Sequence, residues 1–165
     1  MIRGEKTVLR PVDVSDVQRL AAWLNDDEVT EFLTFWLPAT EKGEEEWVRS
    51  TRPGESRFAI DTHEGRHIGI CALHGCGHAR CSGVGIFLGD KAQWGQGYGT
   101  DAVITLCTFG FAYQNLHRIS LTVHAENPRA IRCYEKAGFQ VEGRLREHRY
   151  HRGCYHDVVY MGLLC

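Results

Sequence analysis

The stretch that decides the fold is Gln93-Trp94-Gly95-Gln96-Gly97-Tyr98-Gly99-Thr100. It lies between a predicted strand and a predicted helix, and its three glycines stand at alternate positions. Glycines allow the backbone N–H groups of such a loop to converge, and the helix start adds the positive end of its dipole. The loop therefore predicts a site for a phosphate or a pyrophosphate. The alternative is a tight turn that needs glycine only for its backbone angles.

Two other phosphate-binding motifs fit this loop poorly. A P-loop is excluded because no Lys-Ser or Lys-Thr pair follows the last glycine. The dinucleotide fingerprint G-x-G-x-x-A is met by Gly97, Gly99 and Ala102. Glu126 also lies just past the next strand, as that motif requires. However, residues 89–96 separate the preceding strand from the first fingerprint glycine, and too little chain follows to complete a doubly wound sheet.

The elements around the loop predict a fold of the α/β class, with an α+β mixed sheet. The strand before it, 83–88, contains two glycines, which inside a strand mark a bulge or a close backbone approach. Helices are expected near 17–24, 27–32, after Thr40, near 100–114, and from Asn127 to Gly138. Strands are expected at 7–11, 58–60, 68–71, 83–88, 118–123, about 139–147 and about 155–163. This order predicts a mostly antiparallel central sheet with a crossover and flanking helices.

Length and composition indicate a single domain that spans residues 1–165. The chain is 43% hydrophobic and 24% charged, close to the averages of folded domains. Its formal net charge of -2 argues against a dedicated binder of nucleic acids or anionic membranes, which needs a basic face. No apolar signal region opens the chain, and no run approaches the roughly eighteen apolar residues of a membrane span. We therefore expect a cytoplasmic protein without a nucleic-acid or membrane partner.

Cysteine and histidine are abundant, at seven and nine residues. An odd number of cysteines excludes full pairing within one chain, and we expect free thiols in a reducing compartment. Five potential zinc ligands fall within eleven residues: Cys71, His74, Cys76, His78 and Cys81. Their spacing matches none of the usual zinc knuckles, so we expect buried thiols and no metal site. A looser group lies on the last predicted hairpin: His148, His151, Cys154 and His156.

Two motifs in the second half of the chain point to a known family. The segment 94–99 aligns with the pyrophosphate motif Q/R-x-x-G-x-G/A, with Trp94 at the position usually held by Gln or Arg. The pattern N-x-x-A-x-x-x-Y-x-x-x-G-F is met in full by Asn127, Ala130, Tyr134, Gly138 and Phe139. Together they resemble the GNAT superfamily of acyl-CoA-dependent N-acetyltransferases, whose element order matches nearly the whole chain. The tryptophan at this motif position resembles the branch that contains ribosomal-protein N-terminal alanine acetyltransferases and spermidine acetyltransferases, in which an aromatic residue is common there.

The resemblance implies a single-domain GNAT-like fold in which acetyl-CoA lies where the bulged strand splays from its neighbour. It places three residues along the pantetheine arm and five around the pyrophosphate, in this order: Ile86, Phe87, Leu88, Gln96, Gly97, Tyr98, Gly99 and Thr100. Asn127 is expected to reach the pantetheine arm, to cap its helix, or both. Arg129 and Arg132 are candidates for the adenosine phosphates, the alternative being a solvated helix face.

Acetyl transfer sets the chemistry that such a site must provide. A free alkylamine has a pKa near ~10.4, so a base must accept its proton before it attacks the thioester. A strand N–H then stabilises the oxyanion, and the thiolate leaves. By the resemblance Tyr134 is the acid of that last step, although a phenol near ~10 protonating a thiolate near ~8.5 is uphill by roughly 2 kcal/mol. We therefore expect Tyr134 to hydrogen-bond the developing thiolate, the alternative being a core aromatic.

The general base stays open at this point. Related branches often carry a glutamate on the bulged strand, but the matching position here is Gly83. Glu31, in the helical region over which these enzymes admit the acceptor, is the first substitute, and a solvated helix face is its alternative. A water relay to a backbone carbonyl or to a histidine such as His124 is the other candidate.

The sequence thus predicts an N-acetyltransferase that moves acetyl from acetyl-CoA to a primary amine by direct attack in a ternary complex. The acceptor stays open between a protein N-terminus, a polyamine and another small amine. Two other functions stay open: a non-catalytic CoA-binding sensor and a nicotinamide-dinucleotide enzyme. The sequence also leaves open a homodimer through the terminal strands.

Overall fold

One sheet organises the part of the chain that the structure describes. The computed structural model describes residues 1–34, 38–50, 53–75 and 80–165. The strands are β1 (Ile2–Arg3), β2 (Thr7–Pro11), β3 (Ser56–Thr62), β4 (His67–Gly75), β5 (Cys81–Leu88), β6 (Arg118–His124), β7 (Gln140–His151) and β8 (Cys154–Leu164). The helices are α1 (Val17–Leu24), α2 (Asp27–Thr30), α3 (Glu41–Arg49), α4 (Tyr98–Gln114) and α5 (Pro128–Lys136).

The strand order explains where the sheet can open. The order is β1-β2-β3-β4-β5-β6-β8-β7, and the paired neighbours run antiparallel except for β5 and β6, which are parallel. A parallel pair needs a crossover, and here α4 supplies it. The predicted mixed sheet, mostly antiparallel with a crossover and flanking helices, is confirmed. The short strand β1 was not predicted, because two residues carry no readable alternation.

Local signals in the sequence set several of the helix boundaries. The hydroxyl of Thr40 accepts a hydrogen bond from the N–H of Gly43 (3.1 Å), as an N-cap does. The side-chain oxygen of Asn127 accepts from the N–H of Ala130 (3.0 Å), and Pro128 opens α5 where no N–H is needed. Both predicted caps are confirmed. By contrast, α4 begins at Tyr98, two residues before the predicted start.

Strand alternation gives the sheet two different faces. One face carries the larger core, in which Leu73, Ile119 and Leu121 pack with residues of α4 and α5. The other face carries a smaller core, in which Leu20 of α1 packs with Ala59 and Ile70. We call these the α4–α5 face and the α1–α3 face. Any ligand between two parted strands has access to both.

A buried carboxylate ties the start of α4 to the N-terminal segment. One oxygen of Asp101 accepts from the N–H of Glu5 (2.9 Å). The other accepts from the N–H of Lys6 (3.0 Å), and from the N–H (2.8 Å) and hydroxyl (2.6 Å) of Thr7. Because Asp101 lies in the first turn of α4, these bonds hold the turn between β1 and β2 against the glycine loop. Lys6 is thereby placed beside that loop.

The cysteines differ in part from the prediction. Five described cysteines are free: Cys71, Cys107, Cys133, Cys154 and Cys165. The expectation of free thiols is wrong for Cys81, which is disulfide-bonded. The predicted buried thiol is confirmed at Cys71, where burial in the larger core raises the pKa of the thiol far above its usual range. Among the described helices, none is both long and apolar enough to cross a membrane.

We predict that Asp101→Asn lowers the free energy of unfolding by roughly 1–3 kcal/mol, the cost of leaving a buried hydrogen-bond network short of an acceptor. The asparagine amide keeps the shape of the carboxylate, but its NH₂ group is a donor. It cannot accept the hydrogen bonds that one carboxylate oxygen accepts in wild type. Denaturant unfolding followed by circular dichroism measures the change. Glu135→Gln, an exposed acid on α5, is the matched control and should change stability by less than about 0.5 kcal/mol. Equal stabilities for the two variants would contradict this role.

Candidate active site

The site begins where β5 and β6 stop pairing. Their parallel ladder has three register positions: Cys81 with Arg118, Ser82 with Ile119, and Gly83 with Ser120. Beyond Gly83, β5 continues to pair with β4 and β6 continues to pair with β8, so the gap opens only between β5 and β6. Backbone groups of both strands that face this gap have no ladder partner, and a ligand can satisfy them. The predicted splaying of β5 is confirmed, but its pairing with β4 shows no register shift at Gly83 or Gly85 that would mark the predicted bulge.

A cleft of about 690 Å³ runs through this gap, within the usual size range of small-molecule sites. Most of the residues predicted for the cofactor and the reaction line it: Ile86, Phe87, Leu88, Gly97, Gly99, Thr100, Asn127, Arg129, Arg132 and Tyr134. Three do not: Gln96, Tyr98 and Glu31. Tertiary structure therefore brings most of the predicted set to one place, and their individual roles stay predictions.

The glycine loop lies at the α4–α5 end of the cleft. Gly95 (φ 76°) and Gly97 (φ 87°) take left-handed backbone angles that other residues avoid. No side chain caps the start of α4, which leaves its first N–H groups available to an anion. The side chain of Gln96 is engaged within the loop, where its amide donates to the carbonyl of Ala92 (2.7 Å).

Lys6 lies beside the glycine loop, which sequence reasoning did not indicate. Its Nζ donates to the carbonyl oxygen of Gln96 (2.9 Å), across ninety positions of sequence. The bonds of Asp101 to the turn between β1 and β2 hold it there. An ammonium group beside uncapped helix N–H groups favours a phosphate. No local pattern around Lys6 could have shown this.

The tryptophan at the unusual motif position has a structural explanation. Its indole Nε1 donates to the carbonyl of Leu88 (2.8 Å), which fixes the ring at the end of β5. The guanidinium of Arg129 lies over that ring, 4.0 Å from its centroid. A cation held over an indole face gains electrostatic energy and loses freedom of orientation. Trp94 therefore orients Arg129 at the mouth of the cleft.

Tyr134 lies deeper, on the same α4–α5 face. Its side chain is buried and its ring packs edge-on against Phe139, with centroids 5.9 Å apart. Burial raises the pKa of the Tyr134 phenol above its usual range, so the hydroxyl stays protonated at neutral pH and can donate a hydrogen bond. The preceding residue, Cys133, also lines the cleft, and its thiol accepts from the hydroxyl of Thr100 (3.4 Å).

A histidine occupies the space of the missing strand carboxylate on the α1–α3 face. His74 is opposite Gly83 in the β4–β5 register, and both residues point away from the larger core. A side chain at position 83 would collide with the imidazole of His74. The imidazole is exposed and lines the cleft at the last paired position before the strands part. The sequence indicated His74 only as a potential metal ligand. The strand register that pairs it with Gly83 cannot be read from the spacing of residues along the chain.

The two candidate bases from the sequence lie outside the cleft wall. Glu31 is exposed just after α2, while its neighbour Phe32 lines the cleft. His124 is buried, its ring 5.8 Å from that of Phe32, and its Nε2 has no hydrogen-bond partner within the described chain. Burial lowers the pKa of His124, and the nearby guanidinium of Arg149 lowers it further. His124 is therefore neutral at neutral pH.

The histidine and cysteine groups form no metal centre in the described residues. Cys76 and His78 of the first group lie outside those residues. Of the second group, His151 and His156 pack around His124 at centroid distances of 5.9 and 5.4 Å. Within the described ranges, no three ligands have a geometry that would hold a metal ion.

Comparisons with known proteins agree with this geometry. The family model "Acetyltransferase (GNAT) domain" matches residues 6–140. The uncharacterized N-acetyltransferase p20 of Bacillus licheniformis is 30% identical over 97% of this chain and 93% of its own length. The spermidine N(1)-acetyltransferase of Vibrio cholerae is 32% identical over 67% of this chain and 64% of its own length.

Two solved structures superpose closely on this chain. An acetyltransferase of the GNAT family from Bacillus anthracis has a TM-score of 0.88 at 22% identity, covering 99% of this chain and 97% of its own. The spermidine N-acetyltransferase of Vibrio cholerae, in complex with CoA and spermine, has a TM-score of 0.88 at 25% identity, covering 96% and 95%. The first likeness shows the fold, while the family match and the relative from Bacillus licheniformis cover most of the chain. The chain therefore belongs to the GNAT family and is an N-acetyltransferase that uses acetyl-CoA.

Proposed function

We propose that this protein transfers an acetyl group to a primary amine by direct attack, with donor and acceptor bound on opposite faces of the sheet. The observation that carries the proposal is the parting of β5 and β6 after Gly83, which opens a passage between the two faces. On the α4–α5 face the passage leads to an anion site. On the α1–α3 face it opens beside His74, where an acceptor can enter.

The residues on the α4–α5 face fit acetyl-CoA. The start of α4 and Lys6 would hold the pyrophosphate, and the unpaired edge of β5 would hold the pantetheine amides. Arg129 and Arg132 would face the adenosine phosphates. Acetyl-CoA supplies an activated carbonyl carbon bonded to a good leaving group, the thiolate.

The reaction balances with groups that this chain provides. After the ammonium form has lost a proton, the neutral amine nitrogen forms a bond to the carbonyl carbon, the carbon–sulfur bond breaks, and the nitrogen gives up a second proton. An N–H at the open edge of β5 would stabilise the negative charge on the carbonyl oxygen. The Tyr134 hydroxyl would donate a hydrogen bond to the departing sulfur and keep its own proton, which its raised pKa favours. The proton lost by the amine needs a separate acceptor.

We assign that acceptor to His74 in preference to Glu31. Both side chains are exposed to solvent. Of the two, only His74 lines the cleft at the point where the strands part. A neutral imidazole accepts a proton at physiological pH. The assignment also explains Gly83, because a side chain there would displace the imidazole.

Three kinds of amine are candidates for the acceptor. Relatives from Vibrio cholerae and Escherichia coli are named spermidine N(1)-acetyltransferases, which makes a polyamine one candidate. A peptide N-terminus and another small amine are the others. A homodimer stays a prediction, supported by β7, an edge strand that belongs to a hairpin with exposed Leu145, Tyr150 and Tyr155.

The function itself is tested by thiol release from acetyl-CoA in the presence of a panel of primary amines. We expect amine-dependent release above the hydrolysis background, with formation of the N-acetyl product confirmed by mass spectrometry. Binding of CoA without turnover on any amine would support a sensor instead. Calorimetric binding of a nicotinamide dinucleotide but not of CoA would support the dinucleotide enzyme.

We predict that Tyr134→Phe lowers kcat by about 100-fold, the scale of losing one hydrogen bond that forms in the transition state. The dissociation constant for acetyl-CoA should stay within about twofold, because the removed hydroxyl acts on the departing sulfur. Tyr113→Phe, which removes the hydroxyl of an exposed tyrosine on α4, is the control and should behave as wild type. Unchanged kcat in Tyr134→Phe would remove the role.

We predict that His74→Ala lowers kcat by about 100-fold or more while Glu31→Gln leaves it unchanged. Truncation of His74 also clears the space next to position 83, so His74→Ala combined with Gly83→Glu should regain part of the lost rate. Gly83→Glu alone should be impaired, because the new side chain collides with His74. Steady-state rates at saturating amine and acetyl-CoA measure all four variants. A loss in Glu31→Gln with full activity in His74→Ala would return the base to Glu31.

A further inference from the structure

Arg149 is a partly buried cation without a carboxylate partner in the described chain. It lies on β7 and lines the cleft. Its Nη2 donates to the hydroxyl of Thr122 on β6 (3.3 Å), and this is the hydrogen bond that its guanidinium makes among the described residues. Burial lowers the pKa of Arg149, and no neighbouring carboxylate raises it. A partly desolvated guanidinium is costly unless an anion pairs with it.

The position of Thr122 places this cation on the acceptor side. Leu121 and Val123 belong to the larger core, so Thr122 points to the α1–α3 face, as His74 does. Thr122 follows Ser120, the last residue of β6 that pairs with β5, by two positions. Two strand residues span about 7 Å. The guanidinium is therefore bonded to a residue that lies about 7 Å along β6 from the point where the strands part.

The rest of the cleft does not neutralise Arg149. Four cationic side chains and one carboxylate line the cleft in the described chain: Arg129, Arg132, Lys136, Arg149 and Glu28. The first three lie on α5, on the cofactor side, and Glu28 is paired with Lys91 (3.0 Å). The segments 35–37, 51–52 and 76–79, outside the described residues, contain no Asp or Glu.

The acidic residues of the neighbouring helix α2 are also engaged elsewhere. Asp26 pairs with Lys91 (2.7 Å), and Asp27 pairs with Arg152 (3.2 Å). Glu31, just beyond the helix, does not line the cleft. A polyamine keeps positive charge on the part of the molecule that stays behind when one amine is acetylated. That charge would meet a guanidinium that no carboxylate of the described residues pairs with, and like charges at close range are unfavourable.

We propose that Arg149 selects an acceptor that carries a carboxylate a few bonds from the amine, and that it selects against polyamines. The carboxylate would pair with the guanidinium as a charge-assisted, bidentate hydrogen bond while the amine lies beside His74. Such an acceptor is either a small amino acid or the N-terminus of a peptide with an acidic residue near its start. The inference rests on the proposed function, since it concerns the acceptor of the same transfer.

The test compares acceptors that differ only in the charge at the far end. Butylamine, 1,4-diaminobutane and 4-aminobutanoate share a four-carbon chain and end in a neutral, a cationic and an anionic group. The dipeptide amides Ala-Asp and Ala-Lys provide the same contrast on a peptide, and spermidine is included as the polyamine. For wild type we expect kcat/KM to be roughly 10- to 100-fold higher for the anionic acceptor than for the cationic acceptor of the same set. If the four-carbon set has the larger kcat/KM values, the acceptor is a small amine. If the dipeptide set has the larger values, it is the N-terminus of a peptide.

Variants at Arg149 assign the preference to this side chain. Arg149→Gln should remove most of the preference, and Arg149→Glu should reverse it in favour of the cationic amines. The KM for acetyl-CoA should stay within about twofold in both variants, which also shows that they are folded. Arg144→Gln is the matched control, because Arg144 is an exposed arginine of the same strand that pairs with Asp157 (2.7 Å) outside the cleft.

The outcomes separate this inference from the proposed function. If amines are acetylated but spermidine or 1,4-diaminobutane is preferred, or if Arg149→Gln keeps the wild-type preference, the inference is wrong and the function stands. If no amine on the panel supports thiol release although acetyl-CoA binds, the proposed function fails and the inference fails with it. A preference for the anionic member that is lost in Arg149→Gln and kept in Arg144→Gln supports both.

Discussion

The parting of β5 and β6 after three paired positions is the constraint on which the rest of the site depends. A parallel ladder that ended in water would simply be solvated. Here both strands stay inside the sheet, held by β4 and by β8 on their outer sides. Backbone groups that face the gap are therefore available to a ligand that can extend between the strands. The cleft in the gap reaches the glycine loop on one face and His74 on the other, which is the geometry that the proposed direct transfer would need.

Long-range contacts hold both ends of that passage. At the anion end, the Asp101 carboxylate bonds three backbone N–H groups near β2 and thereby sets Lys6 against the glycine loop. At the acceptor end, the β4–β5 register stacks His74 over Gly83, and the last hairpin brings Arg149 to Thr122. The anion end is thus built from backbone N–H groups and cations, while the acceptor end carries an imidazole and a guanidinium. Under the proposed function, this asymmetry would give the two substrates different electrostatic surroundings.

The parts of the site that were predictable are those that depend on local backbone geometry. Glycines with positive φ at 95 and 97, the cap at Asn127 and the run from Asn127 to Phe139 are readable because each works within a few residues. The positions of Lys6, His74 and Arg149 were not readable, because each contacts a segment that is distant in sequence. The resemblance points to Glu31 because its helical region admits the acceptor in the family, yet the side chain lies outside the cleft wall. Spacing along the chain cannot tell which side of a turn faces a cavity.

The sequence by itself determined the family, the mixed sheet with its crossover helix, and the anion loop. These follow from short motifs and hydrophobic periods whose physical causes are local. Only the tertiary structure decided which cation reaches the loop, which side chain takes the space next to Gly83, and which charge lies beside Thr122. Those answers depend on strand register and on the parity of each strand's side chains, and a shift of one residue would turn each of them to the opposite face.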